Sequence, residues 1–539
     1  MADPKPQNGE TQEHFFPAVD DRWLVLAILV LAIIVRAIGI SRTDPVAFDS
    51  AVYFEMAQFV RAGAWDNVFA YPYPPLYPML IAGLEKLGVP TEVAGLFWSC
   101  GLNLGILVPL FFITRKLAGR LAALGAALLW AVHPYAVRLS IRALSDSPTV
   151  FLVALSLWLG LWAHENKTRF LSLVAGVLSG LAYLSRPEGM EAAIGLAFLY
   201  ALPPALTAPT QAARSLPARI VWALMPLIGW ALVAAPYVAH LSIQEGTLTL
   251  SKKKSVQAML GSVVSSPSEQ ESTLPNADEK PAVQPPPTAG SPVPHAREKP
   301  DWLRRMAHNI YIFQQPLHNG IYPVVLVLAV WGAIALHGGK ISCARSALML
   351  LAGLAGLHLL ILVGVALQSG VDYLGGHHFF LLLLYLLPFA GAGITAAAID
   401  AQARFPQVRW VPAAVLACAF LLVVPAALRT REDRGESLRL AGLWVREHLP
   451  QENRVVAKAR KFAFHAGAQR IPLEGDYKTV IDQARKQGAL FLGSDSENPQ
   501  AKDLEELIQA GDLKLAAEFS EGSGKRLYTF RVYRILPAH

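Results

Sequence analysis

The chain has little charge for its length. Charged residues make up 16% of the 539 residues and apolar residues 53%, whereas about a quarter of a soluble domain is charged. The deficit is uneven, because about a third of the residues from Thr430 onward are charged but only roughly one in eight before it. These proportions exclude soluble globular, fibrous and largely disordered proteins, and they predict a membrane region followed by a water-soluble tail.

Cysteine is also scarce. Cys100, Cys343 and Cys418 all lie in or beside apolar runs, which excludes a disulfide framework and a metal site built on cysteine spacing. The sequence has no Walker loop, no dinucleotide-binding glycine motif and no zinc-hydrolase helix. No basic stripe with interleaved aromatic residues occurs either. We therefore expect no nucleic-acid partner, and ATP-driven transport has no support.

Long apolar runs dominate what is present. A helix needs about 20 apolar residues to cross a bilayer core, and the run 75–87 is too short and is predicted to lie at the interface. The sequence therefore predicts an all-α polytopic membrane protein with about 11 transmembrane helices. The predicted spans are 22–40, 94–114, 121–137, 147–164, 170–185, 189–204, 217–241, 321–338, 344–367, 377–398 and 408–427.

The first and last parts of the chain are predicted to lie outside the membrane region 22–429. Residues 1–21 are polar, and the apolar run after them is read as a retained first helix, not as a signal peptide. Residues 261–300 are rich in Ser, Pro, Glu and Ala, a composition that predicts a disordered insert. Residues 430–539 alternate helix-like and strand-like patterns and predict a small α/β domain.

Cations in alternate short loops predict the orientation. Lys and Arg are enriched in cytoplasmic loops of membrane proteins, and five alternate loops carry at least two cations each. The first loop (41–93), the long loop 242–320 and the tail then fall on the opposite, extracytoplasmic face of a bacterial plasma membrane. The cations are Arg115, Lys116, Arg120, Lys167, Arg169, Arg214, Arg219, Lys340, Arg345, Arg404 and Arg409.

The first extracytoplasmic loop carries a carboxylate at the start of an amphipathic helix. Asp49 precedes apolar residues at helical spacing, so the helix is expected to lie in the interface with Asp49 at its N-terminus. A helix cap is an alternative role for Asp49. The run Tyr71–Pro78 then forms a stiff aromatic turn, which membrane anchoring alone would also explain.

Further polar residues lie where predicted spans meet the same face. Asp146 starts a span, and capping is again the alternative role. Arg186 suits a phosphate because its planar fork of donors matches that group, although an interfacial arginine explains it equally well. Lys252 is on the face that disfavours cations, where a lipid phosphate or ordinary headgroups could attract it. The adjacent His377 and His378 point to different helix faces, which makes them poor joint metal ligands.

Taken in order, these segments resemble the C-type membrane glycosyltransferases (GT-C), and most closely the dolichyl-phosphate-mannose–protein mannosyltransferase and aminoarabinose transferase branch. The resemblance covers roughly residues 20–430. It rests on Asp49–Tyr53, Pro74-Pro75-Leu76-Tyr77-Pro78, Leu144-Ser145-Asp146, Leu184-Ser185-Arg186-Pro187-Glu188-Gly189 and Pro236-Tyr237 leading to Leu250-Ser251-Lys252. Many relatives have Asp-Glu where this chain has Asp49-Ser50, and Arg-Tyr where it has His377-His378.

The resemblance implies transfer of a monosaccharide from a polyprenyl-phosphate donor to an acceptor hydroxyl on a lipid, glycan or protein, with inversion. Asp49 would be the general base, with Asp146 as a second catalytic acidic group. Arg186, Lys252, His377 and His378 would bind the donor phosphate. Tyr53, Tyr77 and Glu188 would contact substrate. No cofactor is expected, although relatives differ in needing a divalent metal.

Two other functions remain open at this point. An oligosaccharyltransferase or ligase would use a pyrophosphate-linked glycan in place of a monosaccharide donor. A membrane scaffold with an extracytoplasmic sensing domain would have no catalysis at all, and it would tolerate the replacement of Asp49.

Overall fold

A computed structural model describes most of the chain. The described residues are 20–203, 206, 215–252, 314, 317–369, 374–429, 435–449, 454–473, 476–495, 501–522 and 527–537. The predicted insert 261–300 and nearly all of 1–21 lie outside these residues. The chain divides into two compact units, one made of Met1–Pro45, Tyr53–Val264 and Ala307–Thr430, the other of Val46–Val52, Ser265–Met306 and Arg431–His539.

The first unit is helical, as the apolar runs predict. A short 3-10 turn, Pro187–Met190, separates α9 from α10, and another, Gly376–Phe379, precedes α14. Helix α2 begins within the short Val46–Val52 segment of the second unit. The helices are α1 (Asp21–Ile40), α2 (Phe48–Ala62), α3 (Trp65–Ala70), α4 (Leu76–Glu85), α5 (Thr91–Gly105), α6 (Leu107–Val132), α7 (Pro134–Ser140), α8 (Asp146–Asn166), α9 (Arg169–Tyr183), α10 (Glu191–Ala201), α11 (Leu216–Glu245), α12 (Pro323–His337), α13 (Arg345–Ser369), α14 (Phe380–Arg404) and α15 (Val411–Leu428).

Seven segments of the described chain are long and apolar enough to cross a membrane. Three further apolar helices, Leu76–Glu85, Arg169–Tyr183 and Pro323–His337, are shorter. The predicted class, a polytopic helical membrane protein with a small α/β domain, is confirmed, and the number of eleven spans stays a prediction. The seven are Asp21–Ile40, Thr91–Val132, Asp146–Asn166, Leu216–Glu245, Arg345–Ala366, Gly376–Arg404 and Val411–Leu428.

Helix α6 is broken where the sequence predicts a short loop between two spans. Ala118 and Gly119 leave the helical conformation, and Gly119 has φ +83°, a value that favours glycine because it has no Cβ. Arg115 and Arg120, on either side of the break, both form ion pairs with Asp21 at the start of α1. Both sides of the break therefore lie at the same end of α1.

The other end of α1 shows that the chain turns back at this break. The guanidinium of Arg36 donates to Asn103 Oδ1 at 2.7 Å and to the Ala131 carbonyl at 3.0 Å. Asn103 precedes the break and Ala131 follows it, yet both lie beside the last part of α1. The two halves are consequently antiparallel, and what looks like one long apolar segment is a helical hairpin.

The central helix α14 packs tightly through glycines. A Cβ added at Gly393 would lie 2.9 Å from the carbonyl carbon of Leu328 in α12, and one at Gly391 would lie 3.0 Å from that of Ala122 in α6. Glycine allows backbones to approach closely in membrane helices. This contact fixes the position of α14 and of the 3-10 turn that precedes it.

The tail contains a mixed five-stranded sheet in the order β2-β1-β3-β5-β4. Strand β1 pairs in parallel with β2 and β3, and β5 is antiparallel to β3 and β4. The strands are β1 (Arg454–Ala457), β2 (Gln469–Pro472), β3 (Phe491–Asp495), β4 (Leu513–Glu521) and β5 (Tyr528–Ile535); the helices are α16 (Glu436–His448), α17 (Arg460–His465), α18 (Tyr477–Lys486) and α19 (Ala501–Gln509).

Candidate active site

An arginine held between two carboxylates forms the centre of the candidate site. Arg186 Nη1 donates to Asp146 Oδ1 at 2.7 Å, and its Nη2 donates to Glu188 Oε1 at 3.3 Å. The side chains of Asp146 and Arg186 are only 7% and 12% exposed. Asp146 is the first residue of α8 but makes this ion pair in place of a cap, since Ser145 is the residue before the helix.

The neighbouring carboxylates stabilise the positive charge of Arg186. Burial alone would lower the pKa of Arg186, but the carboxylates of Asp146 and Glu188, with Tyr53 nearby, hold it well above its ordinary value. Guanidinium has five N–H donors, and these two carboxylates use two of them. The remaining donors make Arg186 able to bind a further anionic group.

Three sequence motifs that are far apart in the chain meet around this pair. The Tyr53 hydroxyl lies 2.8 Å from Ser145 Oγ, and Ser185 Oγ donates to the Ser145 carbonyl at 3.1 Å. The Leu76 amide donates to the Leu184 carbonyl at 2.9 Å. The segments around residues 53–77, 145 and 185 therefore lie together at one end of the helical bundle.

Tyr77 lies beneath this surface. It is fully buried, its hydroxyl donates to the Gly95 carbonyl at 2.9 Å, and Ser99 Oγ is 2.8 Å away. The ring of Tyr77 packs edge-on against Tyr53, with centroids 5.1 Å apart. In this arrangement Tyr77 supports Tyr53.

Asp49 lies in the first turn of α2 and is exposed. The helix starts at Phe48, so Asp49 lies one residue inside it, not at the position that precedes a helix. The Ser50 hydroxyl accepts from the Ala47 amide at 2.9 Å, and a helix cap stays an alternative role for Asp49.

Lys252 holds a loop to the end of α11. Its Nζ donates to the Phe69 carbonyl at 3.0 Å and to Gln244 Oε1 at 3.1 Å, and lies 3.4 Å from Glu245 Oε1. The ammonium has three donors, and each has an acceptor in the protein. Binding of a phosphate to Lys252 would exchange one of these partners.

His377 and His378 form the 3-10 turn before α14, with ring centroids 4.0 Å apart. His377 is exposed and His378 is half-buried. His378 Nδ1 lies 3.0 Å from the Gly375 amide nitrogen and 3.3 Å from the Gly375 carbonyl oxygen.

The structure adds arginines that the sequence analysis did not identify. The guanidinium of Arg138 lies 4.6 Å from the centroid of the Tyr135 ring, and within the described ranges Arg138 forms no ion pair with a carboxylate. Burial, and then the charge of Arg138, lowers the pKa of Arg142 to about 10. The spacing of Tyr135, Arg138 and Arg142 along one face is the signal that could have identified them.

Metal ligands do not cluster in the part of the chain that the structure describes. No group of three or more His, Cys, Asp or Glu side chains there has the arrangement to hold a metal ion.

The chain is similar to known proteins both in sequence and in structure. Residues 73–239 match the family model described as dolichyl-phosphate-mannose-protein mannosyltransferase, while no individual curated protein matches the chain. ArnT from Cupriavidus metallidurans in the apo state has a similar structure, with a TM-score of 0.58, 13% identity, and coverage of 95% of this chain and 98% of that one. The chain has the GT-C fold.

Two further GT-C structures are similar to the chain. ArnT from Cupriavidus metallidurans bound to undecaprenyl phosphate gives a TM-score of 0.55 at 12% identity, again with 95% and 98% coverage. The oligosaccharyltransferase of Archaeoglobus fulgidus in the apo form gives 0.50 at 13% identity, covering 88% of this chain and 70% of that one. The predicted resemblance to GT-C glycosyltransferases is confirmed, and the GT-C region matched by the family model includes Asp146, Arg186 and Glu188.

Proposed function

We propose that the protein is a membrane glycosyltransferase that moves a monosaccharide from a polyprenyl-phosphate donor to an acceptor hydroxyl. The observation that carries this proposal is the Asp146–Arg186–Glu188 cluster, in which Asp146 and Arg186 are largely buried and which lies within the mannosyltransferase-like region. Buried charge at the end of a membrane bundle is costly and is typical of functional sites. A non-catalytic scaffold would have no need of this cluster.

The proposed reaction is a single displacement. The acceptor oxygen attacks the anomeric carbon while the bond from that carbon to the phosphate oxygen breaks, and the configuration inverts. Asp49 accepts the hydroxyl proton as general base, for which its exposed position at the start of α2 is suitable. Polyprenyl phosphate leaves with the electron pair of the broken bond.

Cations stabilise the charge that develops on the departing phosphate. Arg186 is the leading candidate because its charge is secured and several of its donors remain for a ligand. We assign the same role to His377, to His378, and to Lys252 after exchange of a partner. Asp146 and Glu188 orient Arg186, and Tyr53, supported by Tyr77, lines the acceptor side.

A monosaccharide donor fits the comparisons better than a pyrophosphate-linked glycan. The chain aligns with nearly the whole of ArnT, a structure of which contains undecaprenyl phosphate, but with only 70% of the oligosaccharyltransferase. An oligosaccharyltransferase is the second candidate, and a glycan-sized mass shift of the product would identify it. We place the reaction on the outer face of a bacterial plasma membrane, with a lipid, glycan or protein as acceptor and no cofactor.

The test compares two aspartates in the same loop. Asp66 is, like Asp49, an exposed second residue of a helix, so Asp66→Asn controls for loss of charge at a helix start. Wild type and both variants are purified in detergent, incubated with a panel of polyprenyl-phosphate sugars and an envelope extract as acceptor, and analysed for free polyprenyl phosphate by mass spectrometry.

We expect wild type and Asp66→Asn to release polyprenyl phosphate from one donor sugar. Asp49→Asn should be at least about 100-fold slower, as is typical when a general base is lost, with unchanged thermal stability. Equal rates for all three proteins would refute Asp49 as the base. No release by folded wild type from any donor would refute the donor class.

A further inference from the structure

A second group of buried polar residues lies behind the two-histidine turn and has no part in the reaction described above. Glu191 in α10, His358 in α13 and Tyr385 in α14 are each at most 2% exposed. Ionisable residues inside a membrane bundle are expensive to bury. Their presence together therefore requires an explanation.

Hydrogen bonds join this group to the turn. His358 Nε2 lies 2.7 Å from the main-chain carbonyl of His378, and its Nδ1 lies 2.8 and 3.0 Å from the two carboxyl oxygens of Glu191. Tyr385 donates its hydroxyl proton to Glu191 Oε2 at 3.2 Å. Four elements, α10, α13, α14 and the 3-10 turn, meet through these bonds.

The positions of the protons follow from the partners. A carbonyl oxygen only accepts, so His358 Nε2 carries a proton and donates it to His378. Nδ1 faces a carboxyl group, and one further proton is shared between Nδ1 and Glu191. A carboxylate on one ring nitrogen fixes the tautomer and strengthens the bond made by the other. The bond to the turn is thus charge-assisted, and such bonds are about twice as strong as neutral ones.

The turn also has contacts of its own, among them the bond from the Gly375 amide to His378 Nδ1. It is a single 3-10 turn, Gly376–Phe379. Phe379 anchors it by burial, while His377 remains exposed. The bond from His358 to the His378 carbonyl ties the backbone of this turn to α13, and it thereby restrains the orientation of the two imidazoles.

We propose that His358 and Glu191 are positioning residues that hold the His377–His378 turn in the conformation that binds the phosphate of a polyprenyl phosphate. This inference rests on the proposed function for the identity of the ligand. Neither residue touches the reacting atoms. Glu191 acts through His358, and His358 acts through the backbone of His378.

The test measures binding separately from catalysis. The probe is undecaprenyl phosphate, with its Kd for the full chain in detergent obtained by native mass spectrometry, alongside the donor KM and the acceptor KM. His358→Leu removes the donor to the turn, whereas His358→Gln retains an N–H that reaches the carbonyl. His164→Leu is the matched control, because His164 is also a buried histidine but lies in the last turn of α8, at the opposite end of that helix from Asp146.

We expect His358→Leu to weaken undecaprenyl phosphate binding and to raise the donor KM by about tenfold or more, the equivalent of one charge-assisted hydrogen bond. The acceptor KM should stay unchanged, His358→Gln should recover most of the loss, and His164→Leu should bind like wild type. Glu191→Leu combined with His358→Leu should be no worse than either alone, because both release the same turn.

Several outcomes overturn the inference. It is wrong if folded His358→Leu has the wild-type Kd and donor KM, if the two losses multiply, or if wild type does not bind undecaprenyl phosphate. If His358→Leu does not fold, Glu191→Gln provides the test. Glu191→Gln should then weaken undecaprenyl phosphate binding about threefold or more, and a wild-type Kd for this variant would refute the inference. Wild type that binds the probe but transfers no sugar refutes the proposed function alone.

Discussion

Replacing Gly393 by alanine tests the tight packing that fixes α14. The added Cβ would lie 2.9 Å from the carbonyl carbon of Leu328, closer still to the carbonyl oxygen, and ordinary contact begins at 3.4 Å. The helices must therefore separate by at least about half an ångström, and since the obstacle is backbone, no side chain can move aside. Overpacking of this kind costs typically about 1–3 kcal/mol.

The opposing effect is helix propensity, since alanine is better than glycine by about 1 kcal/mol in a helix interior. A control isolates this effect. A Cβ at Gly356, within α13, would meet nothing within 4 Å, so Gly356→Ala should be neutral or slightly stabilising. If the clash costs about 3 kcal/mol, the gain in helix propensity offsets about 1 kcal/mol of it, and Gly393→Ala should be destabilised by about 2 kcal/mol. Because Gly356→Ala gains up to about 1 kcal/mol, the two variants should differ in stability by about 3 kcal/mol.

The assay is unfolding of the purified protein by SDS in mixed micelles, followed by intrinsic fluorescence, with polyprenyl phosphate release measured on the same samples. Gly393→Ala should unfold at a lower SDS fraction than wild type and lose turnover, because α14 carries the two-histidine turn at its start. Equal stability of Gly393→Ala and Gly356→Ala would refute the close approach of α14 and α12.

Three further replacements test other contacts. Arg138→Gln should reduce polyprenyl phosphate release about tenfold or more if the Arg138 cation stabilises an anionic substrate group. Arg169 is an exposed arginine elsewhere, and Arg169→Gln should leave the rate unchanged. Equal rates for the two variants would exclude Arg138 from the site. Arg36→Met should lower the free energy of unfolding in SDS by about 2 kcal/mol or more, because Asn103 and the Ala131 carbonyl lose a charged donor. Arg22 is exposed at the start of α1, so Arg22→Met serves as the control. Glu521 accepts from the amides of Gly435 and Ser437 at 2.6 and 2.8 Å. Glu521→Ala should therefore cost the start of α16 about 1 kcal/mol of stability and speed the hydrogen exchange of that helix. Replacement of the exposed Glu518 by alanine should have a smaller effect, and the reverse order would contradict this prediction.

The sequence predicts the fold well where a pattern is long and local. The first predicted span, 22–40, matches α1 (Asp21–Ile40). The interruption between predicted spans 94–114 and 121–137 corresponds to the break at Ala118–Gly119. Strand β2 escapes prediction because Gln469–Pro472 lacks an apolar run, and helix α17 because six residues are too short to show a helical period.

The site is predicted only where its residues form compact motifs. Asp146, Arg186 and Glu188 were recognisable because each lies in a short segment in the order typical of GT-C proteins, and the structure brings these three together. Glu191 and His358 are 167 residues apart and look like ordinary members of apolar helices. Their pairing depends on how α10 and α13 pack, which no local pattern encodes.

The buried arginine of α1 has a consequence for the order in which the protein is assembled. When α1 enters the bilayer, Asn103 and Ala131 have not yet been synthesised, so Arg36 has none of these acceptors. A charged residue at the centre of a helix costs about 2.5–3.5 kcal/mol on insertion. Arg36, four residues from the end of α1, costs less than that, and the otherwise strongly apolar helix, with a mean hydropathy of 2.8, can offset this cost. After insertion, α1 therefore has a buried arginine without these acceptors. Once the hairpin formed by α5 and α6 is in place, the same arginine is hydrogen-bonded and holds α1 in the bundle.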